Sequence, residues 1–203
     1  LRLKQLEMRL SGLSGFSRPD PRFEQYHTPA GLAARLLFHA CMRGDITGRR
    51  VCDLGSGTGV LAIGALLLGA REAVGVELDS GALTVARENA LQANTRPIFV
   101  QGDVQDPGLP GTLGTFDTVV MNPPFGAQAV HADRPFIDAA LRLAGVVYGI
   151  FNAGSREFVA SYIAGRGTID EAVGGSFSMK RTFFFHRNDV QEVPVIILRI
   201  LRM

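Results

Sequence analysis

From Arg50 onward, short β-rich runs alternate with helical runs of ten or more residues, and that alternation restricts the chain more than any single residue does. The reading is strand 51–54, helix 58–69, strand 73–77, helix 80–93, strands 97–101 and 116–121, helix 133–145, strand 146–151 and helix 154–164. Strands separated by helices imply right-handed βαβ crossovers, and therefore a parallel sheet covered on both faces. The nearly continuous apolar character of Val119-Val120-Met121 and of Val146 to Phe151 fits strands buried on both sides. Near the C-terminus, Thr182–His186 and Val193–Leu201 flank a polar turn at Arg187-Asn188-Asp189, which reads as an antiparallel hairpin added to the parallel sheet. The fold class expected is α/β: a Rossmann-like, seven-stranded, mostly parallel sheet with helices on both faces and a C-terminal antiparallel hairpin.

With 203 residues and 46% apolar content, the chain suits one domain with a sizeable core. Within it, 1–48 form an N-terminal helical cap, 49–165 the core and 166–203 the hairpin region. Leu3, Leu6, Leu10 and Leu13 recur at spacings of three and four over residues 2–16, as in an amphipathic helix. A proline-marked connector follows, then a helix from Pro29 through Met42. The longest apolar run, Val60 to Ala70, falls far short of a membrane span. The N-terminus lacks an apolar signal region, so a cytoplasmic location is expected. Cys41 and Cys52 have no metal-ligand spacing and His27, His39, His131 and His186 form no paired motif, so no metal is expected. The net charge of +2 hides a partition in which residues 1–24 carry +2, residues 178–203 carry +3 and the middle carries −3. Basic ends could give a polyanion a weak foothold.

Asp53-Leu54-Gly55-Ser56-Gly57-Thr58-Gly59 places three glycines at alternate positions between the first strand and its helix. Glycine there permits φ > 0 and close approach to a ligand. Dinucleotide enzymes use a related spacing to seat a pyrophosphate, but Asp53 would repel that group and attract an ammonium or sulfonium. Glu77 ends the second strand, where a doubly wound fold places a carboxylate for ribose hydroxyls. Asp103 follows the third strand and can accept from an exocyclic adenine amine. Each alone suits a solvated or capping carboxylate; three at carboxyl ends of strands imply a ligand with adenosine and a positive charge.

Asn122-Pro123-Pro124-Phe125 follows the fourth strand. Two prolines fix φ and withhold N–H groups, so the Asn122 amide oxygen and the Pro123 carbonyl can both accept from one NH₂. Phe125 offers a face on which a base can stack. The same four residues also suit an ordinary strand-ending turn.

Taken together, the glycine loop, Glu77, Asp103 and the NPPF loop resemble class I S-adenosylmethionine-dependent methyltransferases. More narrowly, Phe23 to Pro29 (FEQYHTP), MNPPFG at 121–126 and FFFH at 183–186 resemble the archaeal and eukaryotic small-subunit rRNA N6-adenine methyltransferases. The resemblance implies S-adenosylmethionine as cofactor and rRNA as substrate. It sets Gln25 and Thr28 over the methionine end, with Gly55, Gly57, Thr58, Gly59 and Val60 in the cofactor loop beside Asp53. Glu77 then takes the ribose, Asp103 the adenine, and Asn122 to Phe125 form the catalytic loop. It further implies a small zinc-binding activator protein pairing with an edge strand at Ile98, Phe99 and Val100. Lys180, Arg181 and Arg187 in the terminal hairpin could guide the RNA backbone, and equally suit a solvated face. Guanine-N2 RNA methyltransferases, protein glutamine methyltransferases and a non-catalytic cofactor-binding scaffold are the alternatives.

Overall fold

The computed structural model describes residues 1–16, 19, 25–125, 131–180 and 190–203, with the side chains of 176–180 and 190–193 excepted. Seven strands form one sheet in the order β3-β2-β1-β4-β5-β7-β6. They are β1 (Arg50–Leu54), β2 (Glu72–Glu77), β3 (Ile98–Gln101), β4 (Phe116–Met121), β5 (Ala144–Asn152), β6 (Gly167–Lys180) and β7 (Val190–Arg202). β1 to β5 pair in parallel, β7 runs antiparallel to β5, and β6 runs antiparallel to β7. The expected α/β fold, with its terminal antiparallel hairpin, is what the chain adopts.

The helices are α1 (Leu3–Ser11), α2 (Ala30–Met42), α3 (Val60–Leu67), α4 (Ser80–Gln92), α5 (Leu109–Leu113), α6 (Arg134–Leu143) and α7 (Arg156–Tyr162). Alternate strand residues feed two cores. Val51, Val120, Tyr148 and Ile150 join Leu6, Leu10, Leu36 and Ile63 from α1, α2 and α3. Cys52, Leu54, Met121 and Phe151 join Ile137, Leu143 and Val159 from α6 and α7 on the other face. A strand's two-residue period produces this division. Helix α3 begins at Val60 and not at Thr58, because Gly59 at its N-cap takes a left-handed φ of 85°.

Two elements differ from the sequence reading. The inner arm of the hairpin is β7, but the outer arm is Gly167–Lys180, a stretch the sequence reading left without structure. Gly174 and Gly175 interrupt its apolar pattern, and as the outermost strand it exposes residues such as Val173. Thr182–His186 and the turn at Arg187-Asn188-Asp189 lie outside the described residues, as do Phe23, Glu24, Gly126, Arg181 and the Lys180 side chain. Helix α5 was also not anticipated: five residues containing proline and glycine carry no readable period.

The hairpin is tied to the N-terminal cap by charge. Arg199 on β7 donates through Nε to Asp45 Oδ2 at 3.0 Å and to the Tyr148 hydroxyl at 2.9 Å, and Tyr148 donates to Asp45 at 2.6 Å. His39 of α2 meets Glu171 of β6 at 2.7 Å. Among the described residues no helix is long and apolar enough to cross a membrane.

Candidate active site

Strand order reverses at β1, with β2 and β3 on one side and β4 and β5 on the other. In open α/β sheets such a switch point opens a crevice at the carboxyl ends of the strands. A cavity of about 370 Å³ lies there, within the range of small-molecule sites. Four of the five buried side-chain polar atoms that lack a partner among the described residues belong to its lining: His27 Nδ1, Asp53 Oδ1, Ser56 Oγ and Asn122 Oδ1. Native interiors pair such groups, so a cluster of orphans at one cavity marks a place where a ligand supplies the missing partners.

The glycine loop forms one wall. Gly55 N–H and Ser56 N–H both donate to the Val76 carbonyl at 2.9 Å, folding the loop back over β2. Gly55, Gly57 and Gly59 have φ of 69°, 52° and 85°, and a Cβ at each would strike a phenyl ring at 2.7–2.9 Å: Phe136, Phe16 and Phe99 respectively. Their freedom is therefore spent on aromatic packing as well as on space for a ligand. Gly55, Gly57, Thr58 and Val60 line the cavity, whereas Gly59 faces Phe99 and does not.

Asp53, next to last in β1, is fully buried, with Oδ2 accepting from Ala62 N–H at 2.9 Å. Because Gly59 offers no capping side chain, Asp53 satisfies a free N–H in the first turn of α3 from the strand behind it. Burial pushes its carboxyl up to about 7, opposed by the Ala62 hydrogen bond and reinforced by the nearby Glu77 charge. Glu77 accepts from Gly57 N–H at 2.8 Å and Asp79 N–H at 2.9 Å, one on each oxygen. Each oxygen keeps a second lone pair for a hydroxyl. Asp103 is exposed at the cavity rim and accepts from Gln105 N–H at 2.9 Å.

The segment at 25–28 closes the opposite wall. Gln25 Nε2 donates to Asp79 Oδ2 at 2.7 Å, anchoring the segment to the N-cap of α4. Asn122 Nδ2 donates to Thr28 Oγ1 at 3.0 Å, which leaves its amide oxygen buried and without a partner. Pro124 lines the cavity, Pro123 is buried behind it, and Phe125 packs against the core with its carbonyl 3.4 Å from Asn152 Nδ2. Sequence reasoning thus placed Gln25, Thr28, Asp53, Gly55, Gly57, Thr58, Val60, Glu77, Asp103, Asn122 and Pro124 around one cavity. Gly59, Pro123 and Phe125 stand just outside it.

Other lining residues carried no sequence signal of their own. Phe16 is held over Gly57 because buried Asn89 grips Ser14 through both backbone groups, at 2.8 and 2.9 Å, and donates to the Thr58 carbonyl at 2.9 Å. His27 lines the cavity with burial depressing its pKa, so it stands neutral at pH 7. Only an Asn at 1% exposure, read together with a contact 75 residues away, would have revealed Phe16.

A family model described as ribosomal protein L11 methyltransferase (PrmA) matches residues 35–123, the cofactor-side half of the sheet. Over nearly the whole chain the similarity is to a different group. The rRNA N(6)-adenosine-methyltransferase Mettl5 of Drosophila melanogaster is 35% identical, covering 96% of this chain and 94% of its own. An uncharacterized protein of Methanocaldococcus jannaschii is 37% identical over 100% of this chain and 95% of its own. The crystal structure of a candidate RNA methyltransferase from Pyrococcus horikoshii superposes with a TM-score of 0.90 at 39% identity, covering 100% and 98% of the two chains. With the cavity, the glycine loop and the NPPF loop in the same fold, the chain belongs to the rRNA N6-adenosine methyltransferase family.

Proposed function

We propose that this chain transfers a methyl group from S-adenosylmethionine to the exocyclic N6 of an adenine in small-subunit rRNA. The observation that carries the proposal is Asn122: its Nδ2 is fixed by Thr28, and its buried amide oxygen has no partner among the described residues, beside a cavity walled by carboxylates. The donor set fits the cofactor. Glu77 has lone pairs for two ribose hydroxyls, Asp103 can accept from the adenine amine, and Asp53 presents an unpartnered buried oxygen toward positive charge. Gly55, Thr58 and Val60 form the backbone wall, and Gln25 and Thr28 cover the methionine end. Gly59 contributes by making room for Phe99. Bound S-adenosylmethionine supplies an electrophilic methyl group carried on a sulfonium.

The residues of the chain act on the acceptor. Asn122 Oδ1 and the Pro123 carbonyl accept both hydrogens of the amine, drawing the nitrogen lone pair out of conjugation with the ring. The proton that N6 sheds on gaining the methyl group passes to solvent, and no strong base is needed because positioning and fixed dipoles supply most of the acceleration. Phe125 is the proposed stacking face for a base taken out of its helix. A small zinc-binding activator protein is the proposed partner, adding a strand beside β3. Among the described residues that strand has a neighbour on one side only, and Ile98 is 51% exposed. Phe99 and Val100 turn inward onto the two cores, so the docking contacts are the strand's backbone and Ile98.

The test is Asn122→Ala with labelled cofactor and unmodified rRNA. Cofactor affinity should stay within a few-fold while turnover falls roughly 10²–10³-fold, the usual cost of losing one fixed polar contact to the reacting group. N2-methylguanine or methylglutamine in the wild-type product, read by mass spectrometry, overturns the substrate assignment.

A further inference from the structure

Beyond the cavity, helices α6 and α7 and the residues just before α6 and just after α7 carry a row of rings and guanidinium groups that the proposed chemistry does not use. His131 stacks on Phe158 with centroids 5.8 Å apart and planes 19° apart, and Phe158 stacks on Tyr162 at 5.8 Å and 21°. The Arg134 guanidinium lies 5.2 Å from the centroids of both Phe158 and Tyr162. At the far end, Arg166 covers Tyr162 at 5.0 Å, and Asp138 accepts from both Tyr162 and Arg166 at 2.8 and 2.6 Å.

Arg166 therefore has Asp138 as an ion-pair partner, whereas the charge nearest Arg134 in sequence, Asp133, interacts with it without forming an ion pair. Among the described residues Arg134 makes no ion pair and no side-chain hydrogen bond, and its Nε is buried without a partner. A guanidinium held 5.2 Å from two aromatic centroids, with its donors unspent, is matched by the forked oxygens of a phosphate. Its place on the chain fits that role: Ala132, Pro135 and Phe136, in the same turn, line the cavity. The exposed end of the row adds a second observation. His131 has a φ of 67°, a conformation uncommon for a residue with a side chain, and its ring is the outermost of the stack. Strain of this kind persists where surrounding structure or function holds it.

We propose that this row is the docking track for the single-stranded RNA flanking the target adenine: Arg134 receives a backbone phosphate and a neighbouring base stacks on His131. Alternating cation and aromatic groups suit a strand whose charge and bases repeat in the same order. The proposal rests on the rRNA substrate assigned above.

A fluorescently labelled single-stranded rRNA fragment, titrated in anisotropy measurements at several salt concentrations, tests it. Arg134→Gln should bind about tenfold more weakly at 0.1 M salt. The slope of log affinity against log salt should become shallower by about 0.7, as one phosphate contact is lost from a single strand. Arg134→Lys should keep the slope and lose part of the affinity. His131→Gly separates binding from folding: glycine relieves the positive φ, so its urea midpoint should hold or rise while RNA affinity falls several-fold. Wild-type affinity and slope in both Arg134→Gln and His131→Gly overturn the track and leave the substrate assignment standing. A wild-type protein that binds no RNA and methylates a protein amide overturns both.

Discussion

Asp53→Asn should stabilise the ligand-free protein above neutral pH and leave it unchanged near pH 4. The folded carboxyl titrates at about 7 against an ordinary 3.8, because it is fully buried beside Glu77 and only one oxygen receives a hydrogen bond. Between those values the folded state keeps a proton that the unfolded state has released. Stability therefore falls as pH rises, by about 1.4 kcal/mol per pH unit, and levels off above the folded pKa. The accumulated loss is about 4 kcal/mol at pH 8. Asparagine cannot ionise, keeps an oxygen for Ala62 N–H, and puts an N–H where the protonated carboxyl already carries its hydrogen, so the low-pH comparison is close to neutral. Urea unfolding of both proteins at pH 4, 5, 6, 7 and 8 should give a difference that grows from near zero toward about 4 kcal/mol. A difference independent of pH refutes the assignment. A second readout runs the opposite way: the variant should bind S-adenosylmethionine more weakly, and wild-type affinity should rise with pH until the proton is lost near 7.

Two shorter predictions concern the packing behind the loop and the open sheet edge. Gly59→Ala puts a methyl group 2.7 Å from the Phe99 ring at a φ of 85° and should cost about 2–4 kcal/mol of stability by denaturant titration; Phe99→Ala added to it should recover part of that loss, and simple additivity would rule out the collision. Ile98→Lys should reduce co-elution with the proposed activator at least tenfold in size-exclusion chromatography while leaving the melting temperature within about 2 °C; undiminished co-elution would move the partner elsewhere.

The parts of the fold that could be read from sequence are those whose signals are local. Val51 to Leu54 and Phe116 to Met121 announce themselves by apolar runs that lead directly into cavity-lining loops, and Asp53, Glu77 and Asp103, assigned by their place at strand ends, all line the cavity. Gly167–Lys180 escaped because an outermost strand with two adjacent glycines has neither apolar alternation nor a length limit imposed by crossovers. Phe16 escaped for another reason: nothing near it in sequence signals a site, and Asn89, which seats its segment, sits on a helix 75 residues away; His27 lies inside the 23–29 element, which marks only its neighbours Gln25 and Thr28. The three loop glycines were legible as glycines needing positive φ, but not as sockets for three rings from separate elements.

The hydrogen bond from Asn122 to Thr28 also bears on which bases are admitted. With one amide hydrogen held by Thr28 and the amide oxygen left unpartnered among the described residues, the proposed contact with the incoming edge is through the acceptor. A base with an amino group there completes a hydrogen bond; a base with a keto oxygen brings two oxygens together without a proton between them and leaves both desolvated. That mismatch is the kind that discriminates by orders of magnitude, where a missing methyl group discriminates by tens. If Asn122 receives the target base as proposed, a threonine hydroxyl nearly a hundred residues upstream sets the amide's orientation and with it a preference against uracil and the O6 edge of guanine.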